Sequence, residues 1–240
     1  MDVPLRIDVI TVLPGMLRGF LDCSMLKLAV ARGAAAFRTV DLKDFAQDAR
    51  KTTDDRPFGG GPGMIQKPEP WIEAIEAVRT PGCRVILMTP SGRTFRQDEA
   101  RRLAGTRHLV FVCGHYEGVD ERVRQRLVTD ELSIGDYVLT NGVLPAAVVI
   151  DAVVRLLPGV LGGGEEATRD ESFTEPLLEY PQYTRPAVFR GMSVPDVLQD
   201  GNHGEVAAWH RRQMLDRTAR RRPDLLQSAG EQPLREEKKR

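Results

Sequence analysis

The sequence predicts an α/β fold in which helices cover a parallel β-sheet. Short runs rich in β-branched residues alternate with helical patterns through residues 1–157, an order typical of parallel strands joined by helices. The chain has 240 residues, of which 41% are hydrophobic and 28% are charged. This composition allows a sizeable core in one or two domains, and it excludes a disordered chain, a collagen-like repeat and a coiled-coil rod.

The individual elements follow from local patterns. Apolar residues recur at helical spacing in Phe95–Ala104, with charges on the other face, which predicts a surface helix. Val143–Leu157 is apolar around most of its circumference and is followed by Pro158 and Gly159, which predicts a buried helix that ends there. A helical pattern returns at about His203–Arg221. Four strands are predicted: Arg6–Leu13, Ala36–Leu42, Arg84–Thr89 and His108–Cys113.

A change of composition after residue 161 predicts a domain boundary. Gly162–Pro176 contains three glycines and several acidic residues but no apolar period, which is typical of a linker or a mobile loop. We therefore expect an α/β domain of residues 1–161, a flexible linker of residues 162–176 and a mostly helical C-terminal domain of residues 177–240. The last part of that domain, from Gln227 on, is polar and is expected to fray.

Cysteine and histidine positions indicate neither disulfides nor a metal site. The three cysteines are odd in number and unrelated in spacing, which favours a reducing compartment and a cytoplasmic location. The histidines and cysteines form no H-x-x-H or C-x-x-C pair, so no metal site is predicted. The residues concerned are Cys23, Cys83, Cys113, His108, His115, His203 and His210.

Nothing in the sequence predicts membrane attachment. The first residues lack the basic region and the small-residue cleavage site of a signal peptide. The most apolar stretch, Val143–Leu161, is interrupted by Asp151 and Arg155 and falls short of the uninterrupted run that a membrane span requires.

Three glycine-bearing loops indicate a ligand site. Thr89–Arg93, Cys113–Arg122 and Ser133–Gly142 follow predicted strands or lie in the connections after them. Ligands of open α/β sheets bind at the carboxyl ends of the strands. One such loop alone is more often a simple turn, but three in close succession favour binding.

Two nucleotide-binding motifs are incomplete. The run Gly59–Met64 lacks the Lys-Ser/Thr pair that completes a phosphate-binding loop, which disfavours a nucleotide triphosphatase. A G-x-G-x-x-A pattern at Gly162, Gly164 and Ala167 follows a helix, whereas the dinucleotide fingerprint follows a strand, so an oxidoreductase is also disfavoured. The glycine-rich segment Asp54–Met64 either lets a planar base approach the main chain or is a flexible connection; both interpretations stay open.

The chain has a net charge of zero, with 34 basic and 34 acidic residues, but the charge is unevenly distributed. Gly201–Arg240 has a net charge of +4, which leaves −4 on residues 1–200. On a helix, Arg217, Arg220 and Arg221 would share one face, which suits a phosphate backbone but is equally typical of a solvated surface.

Several longer motifs carry a resemblance to a known family. The chain contains, in this order, DDRPFGGGPGM, LMTPSGR, CGHYEGVDERV, SIGDYVLTNG, PGVLG, LLEYPQYTRP and GNHGEVAAW. Together these segments closely resemble the bacterial tRNA (guanine-N1)-methyltransferases, the TrmD type of the SPOUT superfamily. The resemblance extends over about residues 4–226, and the conjunction of motifs is specific.

The resemblance implies a SPOUT-type parallel sheet with a C-terminal trefoil knot. It further implies a homodimer whose active sites are shared between subunits, and transfer of a methyl group from S-adenosylmethionine to N1 of the guanosine immediately 3′ of the tRNA anticodon. The three loops would hold the methyl donor. The implied lining is Leu87, Thr89, Pro90, Gly114, Tyr116, Glu117, Gly118, Ser133, Ile134, Gly135, Tyr137, Leu139, Gly142 and Pro145.

The resemblance also implies the catalytic groups. An arginine before Pro-Gly-Val-Leu-Gly is matched by Arg155, which would stabilise O6 of guanine. The family has an aspartate just before Ser-Phe in the linker, where this chain has Glu171; we assign Glu171 as the general base and hold Asp170 in reserve. Asn141 and Val143 also stand where many relatives have Gly and Glu.

The tRNA itself is expected to contact the glycine-rich segment and the basic helix. A Mg²⁺ requirement is left open by the sequence. The expected contacts are Phe58, Gly59, Gly60, Arg211, Arg217, Arg220 and Arg221.

Two other functions remain as alternatives. The first is another SPOUT RNA methyltransferase, acting on a ribose 2′-hydroxyl or a ribosomal RNA base, which the segments LLEYPQYTRP and GNHGEVAAWHRRQ disfavour. The second is a non-catalytic RNA-binding protein, which would show no affinity for the methyl donor.

Overall fold

A computed structural model describes residues 4–162 and 168–230. The chain divides into two compact units, Met1–Gly164 and Glu165–Arg240. The division falls inside the segment predicted as a linker, of which residues 163–167 lie outside the described residues. Two positions of the G-x-G-x-x-A pattern, Gly164 and Ala167, therefore lie outside them too, as does the predicted tail beyond residue 230.

The first unit is built on a five-stranded parallel sheet with the strand order β2-β1-β6-β5-β7. All four predicted strands are confirmed, with their ends shifted. The fifth, β7, was missed because its sequence, DELS, is short and half polar. The strands are β1 (Leu5–Thr11), β2 (Ala35–Asp41), β5 (Arg84–Thr94), β6 (His108–Val112) and β7 (Asp130–Ser133), and a separate pair joins β3 (Asp54–Asp55) to β4 (Ile65–Gln66).

Helices cover both faces of this sheet. Alternate residues of a strand point to opposite faces, so Leu109 and Phe111 of β6 join one buried cluster and Val110 and Val112 join the other. The first cluster is closed by α2 (Ser24–Ala31), α4 (Gln97–Ala104) and α6 (Val143–Val154), and the second by α3 (Pro68–Val78) and α5 (Glu121–Leu127). The short α1 (Arg18–Leu21) packs against the first cluster through Phe20 and Leu21.

Two predicted helices are confirmed with different ends. The helix predicted from Phe95 begins at Gln97, because the backbone N–H of Phe95 donates to the carbonyl of Ser133 at 2.7 Å and so extends the sheet. The helix predicted over Val143–Leu157 ends at Val154. Beyond it, the N–H groups of Leu156 and Leu157 donate to carbonyls three residues back, as in a 3₁₀ turn.

Strand β5 continues beyond its predicted end at Thr89. Met88 and Arg93 both lie opposite Leu132 of β7, so the four residues Thr89–Gly92 leave the sheet and return to it at the same point. The predicted first loop is therefore an excursion within a strand rather than the loop that follows one. The excursion carries Thr89, Pro90 and Ser91 out of the sheet.

An ion-pair cluster holds the chain where it returns from this excursion. Arg93 donates to both carboxylate oxygens of Glu99, at 3.0 and 3.3 Å, and Arg102 donates to the same carboxylate at 2.5 and 3.0 Å. Arg84 and Arg102 also pair with the buried carboxylate of Asp130. Three arginines thus share two buried carboxylates, as a buried charge requires.

The cluster predicts an acid-dependent loss of stability. Hydrogen bonds from Arg102 and Arg93 lower the pKa of Glu99 below its ordinary value of 4.5. A lowered pKa contributes stability above pH 4.5, and this contribution disappears as the pH falls through the folded-state pKa. Glu99→Gln should therefore unfold at lower urea concentration than the wild type at neutral pH. The difference should shrink when both are measured in acid, and a difference independent of pH would contradict this origin.

The second unit is helical toward its C-terminal end. Helix α7 (His203–Arg221) has the predicted bounds, and it begins there because the side chain of Asn202 accepts hydrogen bonds from the N–H groups of Gly204 and Glu205. Helix α8 (Pro223–Gly230) follows, so the predicted tail begins as helix. A two-stranded antiparallel hairpin, β8 (Val188–Phe189) and β9 (Met192–Ser193), precedes α7. None of the helices in the described part of the chain is long and apolar enough to cross a membrane.

Candidate functional site

A cavity of about 410 Å³ lies in the first unit, at the carboxyl ends of β5, β6 and β7. The three predicted loops form its walls. All fourteen residues expected to bind the methyl donor line it: Leu87, Thr89, Pro90, Gly114, Tyr116, Glu117, Gly118, Ser133, Ile134, Gly135, Tyr137, Leu139, Gly142 and Pro145. The fold thus brings together around one cavity residues that lie before α4, between α4 and α5, and after α5 in the sequence.

The second loop, after β6, contains a strained backbone. Tyr116 has a φ of 56°, in the left-handed region that non-glycine residues rarely occupy. Its ring stacks on that of His115, with centroids 4.3 Å apart. The backbone N–H of Gly118 donates to the carbonyl of His115 at 3.1 Å and closes the turn.

The third loop is held tightly against the second. The N–H of Gly142 donates to the carbonyl of Gly114 at 2.8 Å, and the Nδ1 of His115 bonds to the carbonyl of Thr140 at 2.8 Å. A Cβ on Gly142 would lie 2.8 Å from the Cα of Cys113, so only glycine fits at this approach of two backbones. The two segments therefore pass each other without room for a side chain.

The two departures from the family pattern have different surroundings. Asn141 lines the cavity, and its side-chain oxygen accepts a hydrogen bond from the N–H of Val143 at 2.9 Å, at the start of α6. Val143 is fully buried in the core cluster. Asn141 thus faces the cavity while Val143 contributes to packing.

Several cavity residues were missed in the sequence analysis. Ser91, His115 and Thr140 also line it. All three lie inside the motifs that carried the resemblance, but their role in the lining depends on side-chain direction, for which the sequence holds no signal.

The glycine-rich segment ends against the second loop. Phe58 is fully exposed, and Gly59 and Gly60 both have positive φ, at 82° and 78°. Farther along, the carbonyl of Met64 accepts a hydrogen bond from the N–H of Glu117 at 3.0 Å. The segment is thus an exposed turn at one end and, at the other, is bonded to Glu117, which lines the cavity.

Arg155 lies at the end of α6 in the first unit. Its backbone N–H donates to the carbonyl of Asp151 at 3.2 Å, and its side chain is half-buried. The segment that follows is held by Arg32, whose guanidinium donates to the carbonyls of Gly159 and Val160. Arg155 therefore lies at a helix end, and the segment after it is hydrogen-bonded to Arg32, the residue that follows α2.

Glu171 and Asp170 lie in a folded turn of the second unit. The N–H of Thr174 donates to the carbonyl of Glu171 at 3.1 Å, and the N–H of Phe173 donates to the buried Leu177 at 3.0 Å. Glu171 is half-buried and Asp170 is exposed. The described part of the predicted linker, from residue 168, is thus folded onto its own unit; its movement on tRNA binding stays a prediction.

Asp170 has an ionisable neighbour, His210, within the second unit. The ring of His210 stacks on that of Tyr180, with centroids 3.5 Å apart. Desolvation lowers the pKa of His210, while the negative charge of Asp170 acts in the opposite direction. Asp170 therefore lies close enough to His210 to affect its pKa.

The arginines predicted to bind tRNA are partly engaged within the second unit. Arg211 forms an ion pair with Glu175. Arg217 is half-buried and donates to the carbonyl of Glu179 at 2.9 Å, and Arg220 donates to the carbonyl of Asp216 at 3.2 Å. Arg221 is exposed. The three arginines predicted to share one helix face therefore differ in their surroundings. Arg217 supports the unit's own structure, while Arg220 and Arg221 lie at the surface.

No group of three or more His, Cys, Asp and Glu side chains in residues 4–162 and 168–230 could hold a metal ion. The carboxylates near the cavity are dispersed or paired with arginine, as for Asp120 with Arg122 and Glu131 with Arg124.

Comparison with known proteins gives a consistent result. A family model described as tRNA (Guanine-1)-methyltransferase TrmD matches residues 5–228. A protein of Geobacillus kaustophilus named tRNA (guanine-N(1)-)-methyltransferase is 54% identical over 237 residues, covering 98% of this chain and 96% of the relative. Relatives of the same name from Moorella thermoacetica and Dictyoglomus turgidum are 54% and 49% identical, covering 92% and 93% of this chain and 90% of each relative.

Proposed function

The chain belongs to the tRNA (guanine-1)-methyltransferase TrmD family, and from this premise we propose that it transfers a methyl group from S-adenosylmethionine to N1 of a guanosine in tRNA. The target is the guanosine immediately 3′ of the anticodon. A tRNA substrate also accounts for the cytoplasmic location expected from the cysteines. The observation that carries the proposal is the cavity, because the residues expected to hold the donor all line it.

The cavity has the size and chemistry that the donor requires. Its volume of about 410 Å³ lies in the range of small-ligand sites. Its walls combine aliphatic side chains such as Leu87 and Ile134 with the main chain of Gly114 and Gly118. Apolar surfaces suit the adenine ring, and backbone N–H and C=O groups suit its polar edge and the ribose.

We propose that the loops are tied into the trefoil knot of this family. Two close approaches support a threaded chain. Gly142 passes the backbone of Cys113, and Gly92 passes the backbone of Leu132, where a Cβ would lie 2.5 Å from the Leu132 nitrogen. Loops that thread one another need such approaches, and they would hold a ligand rigidly because they cannot open independently.

The reaction needs a base and a stabiliser of negative charge. N1 of guanine carries a proton, and its removal leaves charge on O6. Glu171 would accept the proton and Arg155 would donate hydrogen bonds to O6. The donor's sulfonium supplies an electrophilic methyl, so positioning for in-line attack contributes much of the rate. Asp170 is the reserve candidate for the base.

We further propose that the active protein is a homodimer in which each site takes its knot from one subunit and its linker and C-terminal domain from the other. Under this arrangement residues 1–161 bind the donor, residues 162–176 form the linker and residues 177–240 bind tRNA. The tRNA contacts proposed are Phe58, Gly59, Gly60, Arg211, Arg217, Arg220 and Arg221. All of these residues except the half-buried Arg217 are exposed and so are open to a ligand.

A methyl-transfer assay tests the function directly. Unmodified tRNA transcripts that differ only at the base 3′ of the anticodon are incubated with labelled S-adenosylmethionine and the protein. We expect label in the transcript with guanine at that position and background label with adenine, because adenine N1 carries no proton to remove and adenine lacks O6. Equal labelling of both transcripts would overturn the proposed target.

A further inference from the structure

Gln66 is a buried polar residue outside the donor cavity. It lies in β4, directly after the glycine-rich segment, and is 0% exposed. Its place in the sequence, between an isoleucine and Lys67, carries no motif that pointed to function. A buried amide costs free energy unless its hydrogen bonds are made, so its partners indicate what the residue does.

Its main chain pairs with the second cavity loop. The N–H of Gln66 donates to the carbonyl of Gly118 at 2.9 Å, and its carbonyl accepts from the N–H of Asp120 at 3.0 Å. Just before it, the carbonyl of Met64 accepts from Glu117. A small hydrogen-bonded ladder therefore joins residues 64–66 to residues 117–120, of which Glu117, Gly118 and Val119 line the cavity.

The side chain of Gln66 extends this ladder by one bond. Its Oε1 accepts a hydrogen bond from the backbone N–H of His115 at 3.0 Å. The bonds of the ladder join backbone groups, whereas the bond to His115 is made by a side chain. A substitution of Gln66 can therefore remove this bond and leave the backbone bonds in place. Its Nε2 is buried and has no hydrogen-bond partner among the described residues.

The bond lies next to the strained residue of the loop. His115 immediately precedes Tyr116, whose positive φ is unfavourable for a residue with a side chain and persists only if the surrounding bonds impose it. His115 is held at its backbone by Gln66 and at its ring by the carbonyl of Thr140. Both contacts fix the shape of the wall formed by His115, Tyr116 and Glu117.

We propose that Gln66 is a positioning residue for the methyl donor: its Oε1 holds the backbone of His115 and thereby shapes the cavity wall. The inference rests on the proposed function, since it assumes that the cavity binds S-adenosylmethionine. Gln66 contributes little to stability, because the one hydrogen bond of Oε1 is offset by the buried, unpartnered Nε2.

Gln66→Met separates positioning from stability. Methionine has nearly the same length and fills the space without an acceptor. Binding of S-adenosylhomocysteine, the demethylated product, is measured by calorimetry on the full-length protein, and its melting temperature is measured in parallel. We expect the dissociation constant to rise about 3- to 10-fold, the size of one lost hydrogen bond, with unchanged stoichiometry and a melting temperature within a few degrees of the wild type.

Gln47→Met is the matched control. Gln47 is exposed and its amide bonds to Glu73 at 2.5 Å. Neither residue lines the cavity, so the affinity of this variant should equal that of the wild type. An unchanged dissociation constant in Gln66→Met overturns the proposal. So does a weaker affinity accompanied by a large fall in melting temperature and stoichiometry, which indicates a structural role. If the wild type itself binds no S-adenosylhomocysteine, the proposed function fails instead.

Discussion

Replacing Glu171 with glutamine is expected to abolish methyl transfer while donor binding stays nearly intact. Glutamine keeps the size of the side chain but cannot accept the N1 proton. General bases contribute roughly 10²- to 10⁴-fold to rate, so turnover should fall by at least about 100-fold. Because all fourteen predicted donor residues lie in the first unit and Glu171 lies in the second, the affinity for S-adenosylhomocysteine should change little.

Asp170→Asn is the matched comparison for this experiment. It removes the neighbouring carboxylate, whose negative charge raises the pKa of His210. We expect it to retain most of the activity and to lower the pKa of His210 further, which NMR titration of the histidine can follow. Full activity in Glu171→Gln combined with complete loss in Asp170→Asn would reverse the assignment of the base.

Gly92→Ala is expected to destabilise the first unit strongly. A Cβ at this position would lie 2.5 Å from the nitrogen of Leu132 and 2.6 Å from the carbonyl carbon of Glu131. These are backbone atoms of the neighbouring strand, which cannot rotate away as a side chain can. Overpacking of this kind costs about 3 kcal/mol, which corresponds to a melting temperature lower by roughly 6 to 12 °C.

Gly19→Ala is the control for backbone effects of alanine. Gly19 lies in α1, and a Cβ there would meet nothing within 4 Å. Alanine is the better helix former, so this variant should melt at or slightly above the wild-type temperature. Wild-type stability in Gly92→Ala would mean that the strands can separate at this point, and it would weaken the case for a threaded chain.

The cavity shows how far sequence reasoning reaches. The loops after the strands could be recognised because their glycines and the family motifs are contiguous in the sequence. Gln66 and His115 could not, since their contribution depends on contacts between residues 49 positions apart. The end of β5 was misplaced for a related reason: Thr89–Gly92 leaves the sheet and returns beside the same residue, Leu132, and no local pattern encodes such a return.

The basic helix shows the opposite limitation. The sequence predicted its ends correctly, because helical periodicity is a local signal, and in the structure the helix begins directly after the capping Asn202. It also indicated a shared face for Arg217, Arg220 and Arg221. The structure shows Arg217 donating to the carbonyl of Glu179, a use that helical periodicity cannot distinguish from an open phosphate-binding surface.

The sequence by itself determined the family, the parallel α/β class and the order of most elements, because hydrophobic periodicity, helix caps and contiguous motifs are local properties of a chain. Only the tertiary structure decided which backbones approach too closely for a side chain, which carboxylates share three arginines and which buried amide supports the cavity wall. These features depend on distances between residues far apart in sequence, and packing alone sets those distances.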